Sequence, residues 1–543
     1  MDVAGVFERA AAARSTPVGP PVLFPLPVIM YEMPRYAAVD IGSNSVRLLV
    51  GDYVPGGQLR VLASEREVTR LGEGVFRNGR ITDDSMNFLC AQLARMSQII
   101  TRHDVLAIRA VATAAVRDAN NQQDFMVRAS TALGWPIEVI SGQEEARLIH
   151  LGVITRWPQP PGRILLVDVG GGSGEVMLSE GGRLREAFSK PLGAVRLTEV
   201  FLQEETAPTP EDLHRMERYI DEKLKSALET IGRGKFERMI ATSASAAAIV
   251  CAVNRVPRTR RDQADRLRAS KAQVRKFYLD VASKTLAQRR QMTGIGPRRA
   301  EIIVPGAALF WRVLELFQHH SMYYLAAGVR DGIIADLAAR GVGRELSQLS
   351  REQRAVVERT TRRYAVPMKH ARKVADLAHQ IYTTMHDQHR LPPAWGKVLE
   401  AAAYLHDSGH YISDTSHHKH SEYIVRNADL PGFTDHERIL IALLCRYHRK
   451  AMPQQRHVEF QALSPEERRV LQLLIPLLRL ADSLDRANQQ HVESIAIEDH
   501  ITALVAKIKT RGDSDLDEWA AERLTGVFQQ VYGKPLEVIR TRA

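Results

Sequence analysis

The sequence predicts an α/β protein of two similar subdomains, followed by an all-α domain and a small C-terminal α+β unit. A glycine-rich turn between two strand-like runs occurs twice in the first half of the chain. Helix and strand patterns alternate around both turns, and after about Ala339 the sequence becomes helical in pattern and rich in Arg and His. We therefore predict a disordered extension at 1–34, subdomains at 35–160 and 161–340, a helical domain at 349–491 and a C-terminal domain at 492–543.

The internal repeat pairs "YAAVDIGSNSVRLLVGDY", beginning at Tyr36, with "ILLVDVGGGSGEVMLSEG", beginning at Ile164. The alignment matches Asp40 with Asp168, Gly42 with Gly170 and Ser45 with Ser173. Each copy has the pattern strand, turn, strand, because β-branched apolar residues flank turn residues. The repeat predicts two similar subdomains that face each other, and a chance match of three residues is the alternative.

The remaining elements follow from hydrophobic periodicity. Segments 85–100 and 143–153 have the spacing of helices, and 105–113 and 136–142 have that of strands. The same alternation continues at 236–250 and 322–334, whereas the pattern from 350 onward is helical. Near the C-terminus, 491–499 and 501–509 resemble strands again.

Composition limits the class of protein. The net charge is +11 with a pI of about 9.5, which favours an anionic partner, although a diffuse basic surface without a ligand explains the charge equally well. Three cysteines without a CxxC pair argue against a disulfide framework or a thiolate zinc site and fit a reducing cytoplasm. No run of apolar residues is long enough to span a membrane. The proline-broken N-terminal segment does not resemble a signal peptide, and an upstream start codon ahead of Met33 is a further explanation for it.

The glycine turns suit a metal-bound phosphate. Neither has the G-x-G-x-x-G spacing, since Glu175 takes the sixth position of the motif when Gly170 is the first, and neither is followed by the GK[ST] of a Walker A loop. Backbone N–H groups in a glycine-rich turn can nevertheless hold phosphate oxygens, and an Asp at the end of the preceding strand can hold Mg²⁺. The alternative is a tight hairpin in which the glycines serve only the turn.

Five motifs carry a resemblance to a known family: "VDIGSNSVRLLV", "VATAAVRDANN", "ISGQEEARLIHLGV", "LVDVGGGSGEV" and "KPLGAVRLTE". In their order they resemble the exopolyphosphatase and guanosine pentaphosphate phosphohydrolase family, which belongs to the actin and sugar-kinase superfamily. The resemblance extends from about Tyr36 to about Glu493. It implies two ribonuclease-H-like subdomains with a phosphate-binding cleft between them.

The carboxylates of the cleft have distinct expected roles. Ser141 and Glu144 form an S-x-x-E pattern, which predicts a capping box and gives Glu144 a structural role. Glu145 then remains free in the first helical turn, where a solvated Glu that favours the helix dipole is the alternative. The resemblance implies that Glu145 is the general base, Glu175 a second active-site carboxylate that places water or metal, and Asp168 a metal ligand with Asp40 as its counterpart.

The turns would supply the phosphate donors. The resemblance implies binding by backbone and hydroxyl groups of Gly42, Ser43, Asn44, Ser45, Gly170, Gly171, Gly172 and Ser173, and by the guanidinium of Arg117. For Arg117 an ordinary surface salt bridge is the alternative. The family commonly has a "TSGT"-like third turn, but this chain has "TSASAA" at 242–247. Since Ala244 and Ser245 lack the conformational freedom of glycine, contacts from this third turn are in doubt.

The helical half contains a second pattern. His370, His406, Asp407 and Asp482 resemble the ligand set of HD-domain phosphohydrolases, and imidazole with carboxylate suits Mn²⁺ or Fe. The family resemblance instead suggests a metal-free HD-like scaffold that builds a dimer and a basic channel. His410, His418, His420, His436 and His448 could widen a metal site. The basic runs 255–268 and 446–450 could line a polyphosphate path, or simply be solvated faces.

Together these features predict a cytoplasmic, homodimeric, Mg²⁺-dependent exopolyphosphatase that releases orthophosphate from inorganic polyphosphate. A 5′-phosphohydrolase for guanosine pentaphosphate is the alternative within the same fold, because the shared motifs do not separate the two. An actin-like ATP-dependent kinase and a non-enzymatic sensor of polyphosphate or guanosine tetraphosphate are the alternatives from other classes. Neither a membrane nor a specific nucleic acid is an expected partner.

Overall fold

A computed structural model describes residues 33–160, 162–202, 206–340 and 347–541. The predicted extension at 1–34 lies outside the described residues except for Met33 and Pro34. Within the described ranges, no helix has the length and apolar character needed to cross a membrane.

The first α/β half forms one mixed sheet with helices beside it. Its elements are β1 (Arg35–Ile41), β2 (Val46–Asp52), β3 (Arg60–Glu67), α1 (Val75–Asn78), α2 (Asp83–Arg102), β4 (Ala107–Ala112), α3 (Ala114–Arg117), α4 (Gln122–Leu133), β5 (Ile137–Val139) and α5 (Gly142–Arg156). The strand order is β3-β2-β1-β4-β5. β1 pairs antiparallel with β2 and parallel with β4, so the predicted hairpin around the first turn is confirmed.

The second half repeats this topology. Its elements are β6 (Arg163–Val169), β7 (Gly174–Glu180), β8 (Arg183–Lys190), α6 (Ala194–Phe201), α7 (Pro210–Ile231), β9 (Arg238–Ala241), α8 (Ser243–Val253), β10 (Arg268–Ser270), α9 (Lys271–Ala282), α10 (Leu286–Arg290), α11 (Pro297–Ala300), α12 (Ile303–Leu316), β11 (Ser321–Tyr324) and α13 (Val329–Arg340). The order β8-β7-β6-β9-β11 matches that of the first sheet, and β10 adds a strand at the edge. The duplication that the glycine turns predict is therefore confirmed by strand order.

Each sheet has one face under its own helices and one face toward the other half. In β1, Ala37 and Val39 belong to the core beneath α2 and α4, while Tyr36 and Ala38 share a buried cluster with residues of α13. Because side chains alternate along a strand, Asp40 lies on the same face as Ala38. The face that carries Asp40 is therefore the one that α13 covers.

The second sheet shows the reciprocal arrangement. Leu165 and Val167 of β6 belong to the core of the second half, whereas Ile164 and Leu166 share a cluster with residues of α5. By the same alternation, Asp168 lies on the face toward α5. Each half thus lends one helix to the sheet of the other, and the two halves are interlocked.

Helices α5 and α13 touch at their backbones because both carry a glycine at the contact. A Cβ placed on Gly332 would lie 1.8 Å from the carbonyl oxygen of Leu148, and one placed on Gly152 would lie 2.4 Å from that of Gly328. Any larger side chain would force the helices apart. The separation of the two sheets is therefore set by these glycines.

The C-terminal half is a helical domain joined to a small sheet. Its elements are α14 (Arg351–Arg363), α15 (Met368–Thr384), α16 (His386–His389), α17 (Ala394–Leu405), α18 (His417–Asn427), α19 (Asp435–Tyr447), α20 (Val458–Gln461), α21 (Pro465–Ser483), β12 (Val492–Asp499), β13 (Leu504–Thr510), α22 (Asp515–Glu522), α23 (Thr525–Tyr532) and β14 (Leu536–Thr541). β13 pairs antiparallel with β12 and parallel with β14. One buried cluster includes residues of both the helices and this sheet, so the two share a core.

An ion network of buried and half-buried side chains ties the helical domain to the α/β halves. Arg340 on α13 contacts Glu437 on α19 with 3.3 Å between Nη1 and Oε2, and Lys397 on α17 lies 2.7 Å from the other oxygen of Glu437. Arg340 Nη2 also donates to the carbonyl oxygen of Gly432. Burial alone would raise the pKa of Glu437, but the charges of Arg340 and Lys397 lower this pKa to about 2. The ionised form of Glu437 is thus strongly favoured in the folded protein.

Replacing Glu437 with Gln should lower the free energy of unfolding by about 3 kcal/mol at neutral pH, because it leaves the buried Lys397 without a carboxylate and removes one of the two carboxylates paired with Arg340. The folded pKa lies below the ordinary value of 4.5, so this contribution is present above that pH and is lost as the pH falls toward about 2. Urea denaturation followed by circular dichroism across acidic pH values measures both effects. The exposed Asp387→Asn serves as the control, and equal acid sensitivity of the Glu437→Gln variant and the unmodified protein would contradict the assignment.

Replacing Gly332 with Ala should destabilise the protein by about 3 kcal/mol, since the added methyl group collides with the backbone of α5. Gly526 on α23 is the matched control, because a Cβ there meets nothing within 4 Å. Gly526→Ala should be neutral or stabilise the helix by up to about 1 kcal/mol. Denaturant unfolding of both variants gives the comparison, and similar stabilities would refute the tight helix crossing.

Candidate active site

The two glycine turns lie against each other between the sheets. Each is closed by a backbone hydrogen bond, from Gly42 N to Ser45 O at 3.1 Å and from Gly170 N to Ser173 O at 3.0 Å. A Cβ on Gly171 would lie 3.0 Å from the Cβ of Ser43. The glycines are therefore needed for the approach of the turns, in addition to any role in binding.

A cavity opens where the turns meet. It is lined by most of the predicted site residues, namely Asp40, Gly42, Ser43, Asn44, Ser45, Glu145, Asp168, Gly170, Gly171, Gly172 and Ser173. Further lining residues are Arg47, Thr113, Val169, Ser243, Ala244, Arg299, Ala327, Gly328 and Val329. Ser43 Oγ is buried and has no hydrogen-bond partner within the described residues, so it is free to bind a ligand.

Asp168 and Glu175 are direct cross-strand neighbours. Their Cα atoms are paired in the register of β6 and β7, which places both side chains on one face of the sheet. Burial and the charge of Asp168 raise the pKa of Glu175 to about 7. Ser189 Oγ donates to one carboxylate oxygen of Glu175 at 2.9 Å, while the other is buried without a partner in the described part of the chain. The four residues between the strands therefore serve to turn the chain so that these two carboxylates meet.

Glu145 completes the carboxylate group from the first turn of α5. Burial and the charge of Glu175 raise the pKa of Glu145 well above its ordinary value, and Arg117 opposes this rise. Oε2 of Glu145 is buried and has no hydrogen-bond partner among the described residues. Glu145 and Glu175 thus each keep a buried oxygen without a hydrogen-bond partner among the described residues, which a bound cation or water would satisfy.

Arg117 lies behind Glu145 and is not among the residues that line the cavity. Its Nη1 donates to the carbonyl oxygen of Ile140 at 2.7 Å and lies 3.8 Å from Oε2 of Glu145. In this arrangement Arg117 orients the predicted base, while the phosphate contact implied by the resemblance stays a prediction.

The capping box predicted for α5 is only half formed. The backbone N–H of Glu144 donates to Ser141 Oγ at 3.2 Å, as expected. The carboxylate of Glu144, however, turns to Arg147 at 2.7 Å and Arg109 at 3.0 Å and accepts from the backbone N–H of Gly432. Two buried cations compete better for a carboxylate than one backbone N–H does. Glu144 has a structural role, but in the contact with the helical domain.

Arg47 is a site residue that the sequence interpretation missed. In the register of β1 and β2, Arg47 is paired with Asp40. Glu175 has the equivalent position in the second half, where it is paired with Asp168. The internal repeat contained this signal, because Arg47 stands in the same place after its turn as Glu175 does after the second. One turn therefore carries an Asp with an Arg and the other an Asp with a Glu. Burial raises the pKa of Asp40, whereas Arg47 and Arg330 lower it.

The third turn differs from the expectation. Contacts from this turn were in doubt because Ala244 and Ser245 lack the conformational freedom of glycine, but the residue in the left-handed region is Ser243, with φ of 87°. Such backbone is costly for a non-glycine residue and is retained where the surroundings fix it. Thr242, just before it, donates its hydroxyl to Asp168. Ser243 and Ala244 still line the cavity, so the turn contributes to the site without its glycine.

An arginine-lined cavity of about 490 Å³ adjoins the first one and shares Asn44, Ala244 and Arg299 with it. The other cationic residues lining it are Arg66, Arg258, Arg261 and Arg298. Within the described residues none of these arginines forms an ion pair with a carboxylate, and we call them the arginine cluster together with Arg299. Burial lowers the pKa of Arg299 to about 9, and the positive charges of Arg66, Arg47 and Arg261 contribute to this shift.

The histidines of the helical domain also come together. His370, His406, Asp407 and Asp482 converge in the interior, and His410, His417 and His448 extend the group. His417 was not singled out from the sequence. Of the other histidines considered, His418 packs edge-on against His417, and His436 pairs with Glu467 instead. Burial alone would lower the pKa of His370, but the carboxylates of Asp482, Asp485 and Asp407 raise this pKa to about 10.

Comparison with protein families identifies two matching segments. Residues 49–340 match the Ppx/GppA phosphatase family, and residues 352–519 match domain III of the Ppx/GppA phosphatases. The first match alone covers more than half of the chain and includes the second sheet and both shared helices. It also includes every cavity-lining residue except Asp40, Gly42, Ser43, Asn44, Ser45 and Arg47.

Individual relatives agree with this assignment. A guanosine-5′-triphosphate,3′-diphosphate pyrophosphatase of Aliivibrio fischeri is 27% identical over 496 residues, which are 89% of this chain and 95% of the relative. A solved exopolyphosphatase-like protein is 27% identical with a TM-score of 0.53, covering 56% of this chain and 98% of its own. An exopolyphosphatase of Cytophaga hutchinsonii, 23% identical over 57% of this chain and 99% of its own, has the same fold with a TM-score of 0.52.

The strand order, the paired glycine turns and these matches lead to one assignment. The α/β halves have the actin-like fold of the solved relatives, with mixed sheets. The chain belongs to the Ppx/GppA phosphatase family and is a hydrolase that acts on phosphoric anhydrides.

Proposed function

We propose that the protein is an exopolyphosphatase that removes the terminal phosphate of inorganic polyphosphate and releases orthophosphate. The observation that carries this proposal is the arginine cluster, which lines a cavity directly continuous with the carboxylate site. A polymer whose end lies at the glycine turns would have its next phosphates beside unpaired guanidinium groups. Each guanidinium can bind two phosphate oxygens.

The chemistry of this second cavity favours a polymer over a nucleotide. Besides the arginines, its lining consists of Asn44, Val68, Ala244, Ala248, Gly294, Gly296 and Pro297, with no aromatic ring or carboxylate among the described lining residues. A guanine base would gain from a stacking ring and from an acceptor for its N–H donors, whereas a chain of phosphates needs only positive charge. Arg258 and Arg261 come from the basic run 255–268 that the sequence suggested as a polymer path.

Glu145 is the residue we assign as general base. Its raised pKa makes its carboxylate a stronger proton acceptor than an ordinary Glu, and its buried, unpartnered oxygen is available to a water molecule. In the proposed step the water oxygen attacks the terminal phosphorus as its proton passes to Glu145. The bridging P–O bond breaks and its electron pair leaves with the shortened polyphosphate.

The turns would hold the phosphoryl group in line with that water. The residues of both turns line the cavity, the buried hydroxyl of Ser43 has no partner among the described residues, and Arg47 adds positive charge from the strand after the first turn. Such fixed donors can stabilise the charge that spreads over the equatorial oxygens. Arg117, bonded to the Ile140 carbonyl, would keep Glu145 oriented.

The carboxylate oxygens also fit a hard divalent cation. Asp168 and Glu175, with Asp40 from the facing turn, offer oxygen donors of the kind that Mg²⁺ prefers, and Glu175 keeps a buried oxygen without a partner in the described structure. When bound there, Mg²⁺ would neutralise phosphate charge and so favour attack on phosphorus.

A second candidate is hydrolysis of the 5′ terminal phosphate of guanosine pentaphosphate. The observation that favours it is the 27% identity, over nearly the whole chain, to a relative named for acting on guanosine 5′-triphosphate,3′-diphosphate. The same carboxylate site would serve both reactions. Membership of a phosphatase family argues against the kinase and the non-enzymatic sensor. We further propose an HD-like helical domain, a homodimer and a cytoplasmic location, which rest on the family resemblance alone.

Replacing Glu145 with Gln should reduce turnover of polyphosphate about 100- to 10,000-fold, because the amide cannot accept the proton of water. Binding of the polymer should persist, since the arginine cluster is unchanged. Phosphate release and filter binding of labelled polyphosphate measure the two properties. Glu229→Gln on the exposed face of α7 is the control, and undiminished turnover in Glu145→Gln would reject the assigned base.

The choice of substrate is tested by comparing kcat/KM for long polyphosphate and for guanosine pentaphosphate. We expect the polymer to be preferred, and Arg261→Ala to raise KM for long polyphosphate about tenfold, since it removes a charged hydrogen-bond donor. The short tripolyphosphate should be affected less. Arg185→Ala, an exposed residue of β8 outside both cavities, is the control. A clear preference for the nucleotide would establish the second candidate instead.

A further inference from the structure

Helix α6 begins in direct contact with the second glycine turn, residues 170–173. A Cβ placed on Gly193, just before the helix, would lie 2.2 Å from the carbonyl oxygen of Gly171. The N–H groups of the first three residues of α6 donate to the carbonyl oxygens of Gly170 and Gly171 at 2.9–3.1 Å. The side chain of Arg196 continues this series, since its Nε donates to the carbonyl oxygen of Gly172 at 2.8 Å. Three successive carbonyl groups of the turn therefore point toward α6.

The direction of these carbonyl groups sets the direction of the N–H groups that follow them. In a trans peptide, the C=O of one residue and the N–H of the next point to opposite sides, and the described chain has only trans peptide bonds. The N–H groups of Gly171, Gly172 and Ser173 therefore point away from α6. None of the three has a protein acceptor among the described residues. Since these residues line the cavity, their N–H groups are available to a ligand there.

The rest of the Arg196 guanidinium contacts the first half of the protein. Its Cζ lies 3.9 Å from the centroid of the Phe76 ring on α1, which is a distance typical of a cation–π contact. Its Nη2 pairs with the carboxylate of Asp118, the residue that follows α3. One side chain thus holds a carbonyl group of the second turn, an aromatic ring and a carboxylate, and the last two belong to the other half.

The turn residue that Arg196 binds is itself packed against the first half. A Cβ placed on Gly172 would lie 2.6 Å from Cζ of Phe76 and 2.7 Å from the Cβ of Ala114. The ring that stacks on Arg196 therefore also contacts the turn. Guanidinium, ring and turn form one packed unit at the boundary between the halves.

A second residue of α6 contacts the same short helix of the first half. Oε1 of Glu199 accepts from the backbone N–H of Gly74 at 2.8 Å, and the carbonyl oxygen of Glu199 accepts from Nη2 of Arg77 at 2.6 Å. Arg196 and Glu199 are three residues apart, so they lie on one face of α6. That face is the one turned toward α1.

We propose that Arg196 is a positioning residue for the hydrolysis. It holds the second glycine turn in the orientation that presents its N–H groups to the cavity, and it fixes that turn against the first half. Arg196 is not among the described residues that line the cavity, so it acts through the turn. The inference rests on the proposed role of the turns, which is to hold the transferred phosphoryl group.

The three contacts require a guanidinium group. Its planar fork can donate in two directions while its face stacks on a ring, whereas the ammonium of lysine is a single point charge. Donors that are fixed before the reaction stabilise the charge of the transition state more than that of the bound substrate. Loss of the orientation of the turn should therefore lower kcat more than it raises KM.

The test compares Arg196→Lys with Arg215→Lys, a matched control at an exposed arginine of α7 outside both cavities. Turnover is measured with long polyphosphate and with guanosine pentaphosphate, because both would place the phosphoryl group at the same turns. We expect Arg196→Lys to lower kcat about 10- to 100-fold and to change KM by less than about twofold. Arg215→Lys should leave both parameters unchanged.

Inhibition by small anions separates positioning from a loss of folded protein. Orthophosphate and orthovanadate are small enough to bind at the turns alone, and vanadate can adopt the five-coordinate geometry of the phosphoryl transition state. Arg196→Lys should weaken inhibition by vanadate about tenfold, and inhibition by orthophosphate less. A smaller fraction of folded protein would lower the rate but leave both inhibition constants unchanged.

The connection to the first half is tested with Asp118→Asn. This variant should lower kcat about three- to tenfold, because it removes a charged partner of Arg196. In the background of Arg196→Gln it should cause no further loss, since residues that act as one unit are not additive. Additive losses would overturn the connection through Asp118. If Arg196→Gln does not fold, as judged by circular dichroism, the inhibition constants of Asp118→Asn decide the same point.

Glu145→Gln, measured in parallel, shows which conclusion an unexpected result affects. Undiminished turnover in Glu145→Gln would reject the assigned base, while kcat and the inhibition constants of Arg196→Lys would still decide the role of Arg196. Loss of turnover in Glu145→Gln together with an unchanged kcat in Arg196→Lys would overturn that role. A lower kcat in Arg196→Lys with unchanged inhibition constants would overturn it as well.

Discussion

Helices α5 and α13 touch at their backbones, and the geometry of the active site is set by this contact. Each helix belongs to one α/β half and packs on the sheet of the other, and Gly152 and Gly332 let them approach without intervening side chains. The two glutamates in the first turn of α5 have side chains that point in different directions. Glu144 turns to Arg109, Arg147 and the backbone of Gly432, while Glu145 turns into the cleft. The helical domain is thereby attached through the residue next to the proposed base, so the domain contact and the catalytic position are fixed by the same helical turn.

Electrostatics divide the cleft into two regions with opposite requirements. Burial and the neighbouring carboxylates raise the pKa values of Asp168, Glu175 and Glu145. A bound cation would therefore stabilise the ionised form of these carboxylates. The arginine cluster next to them has crowded positive charge without ion pairs among the described residues, so it gains from an anion. A phosphate polymer accompanied by a divalent cation satisfies both at once. This complementarity is the physical reason for favouring a polyanionic substrate.

Local sequence patterns were sufficient for much of this arrangement. The repeated Asp–turn–strand pattern correctly predicted two equivalent sheets, and the S-x-x-E pattern located the start of α5 at Ser141. The predictions that failed concern side chains whose positions depend on contacts between distant segments. The carboxylate of Glu144 leaves its cap because Arg109 and Arg147 are held beside it. The third turn still contributes Ser243 and Ala244 to the cavity, although contacts from it were in doubt without its glycine. Of the arginine cluster, Arg258 and Arg261 lie in the basic run 255–268, but the sequence gives no signal that Arg66, Arg298 and Arg299 join them. His417 joins its cluster through helix packing, which sequence spacing does not show either.

The contrast between Arg47 and Glu175 has an evolutionary meaning. Both occupy the same register position in equivalent hairpins, so an ancestral dimer of identical halves would have carried the same residue at both places. Exact symmetry would then have set two like charges across the cleft. A single polypeptide that carries both hairpins is free of that restriction, because a substitution in one copy leaves the other unchanged. The charge asymmetry that a hydrolytic centre requires is thus available to a fused duplication and denied to a symmetric pair of separate chains.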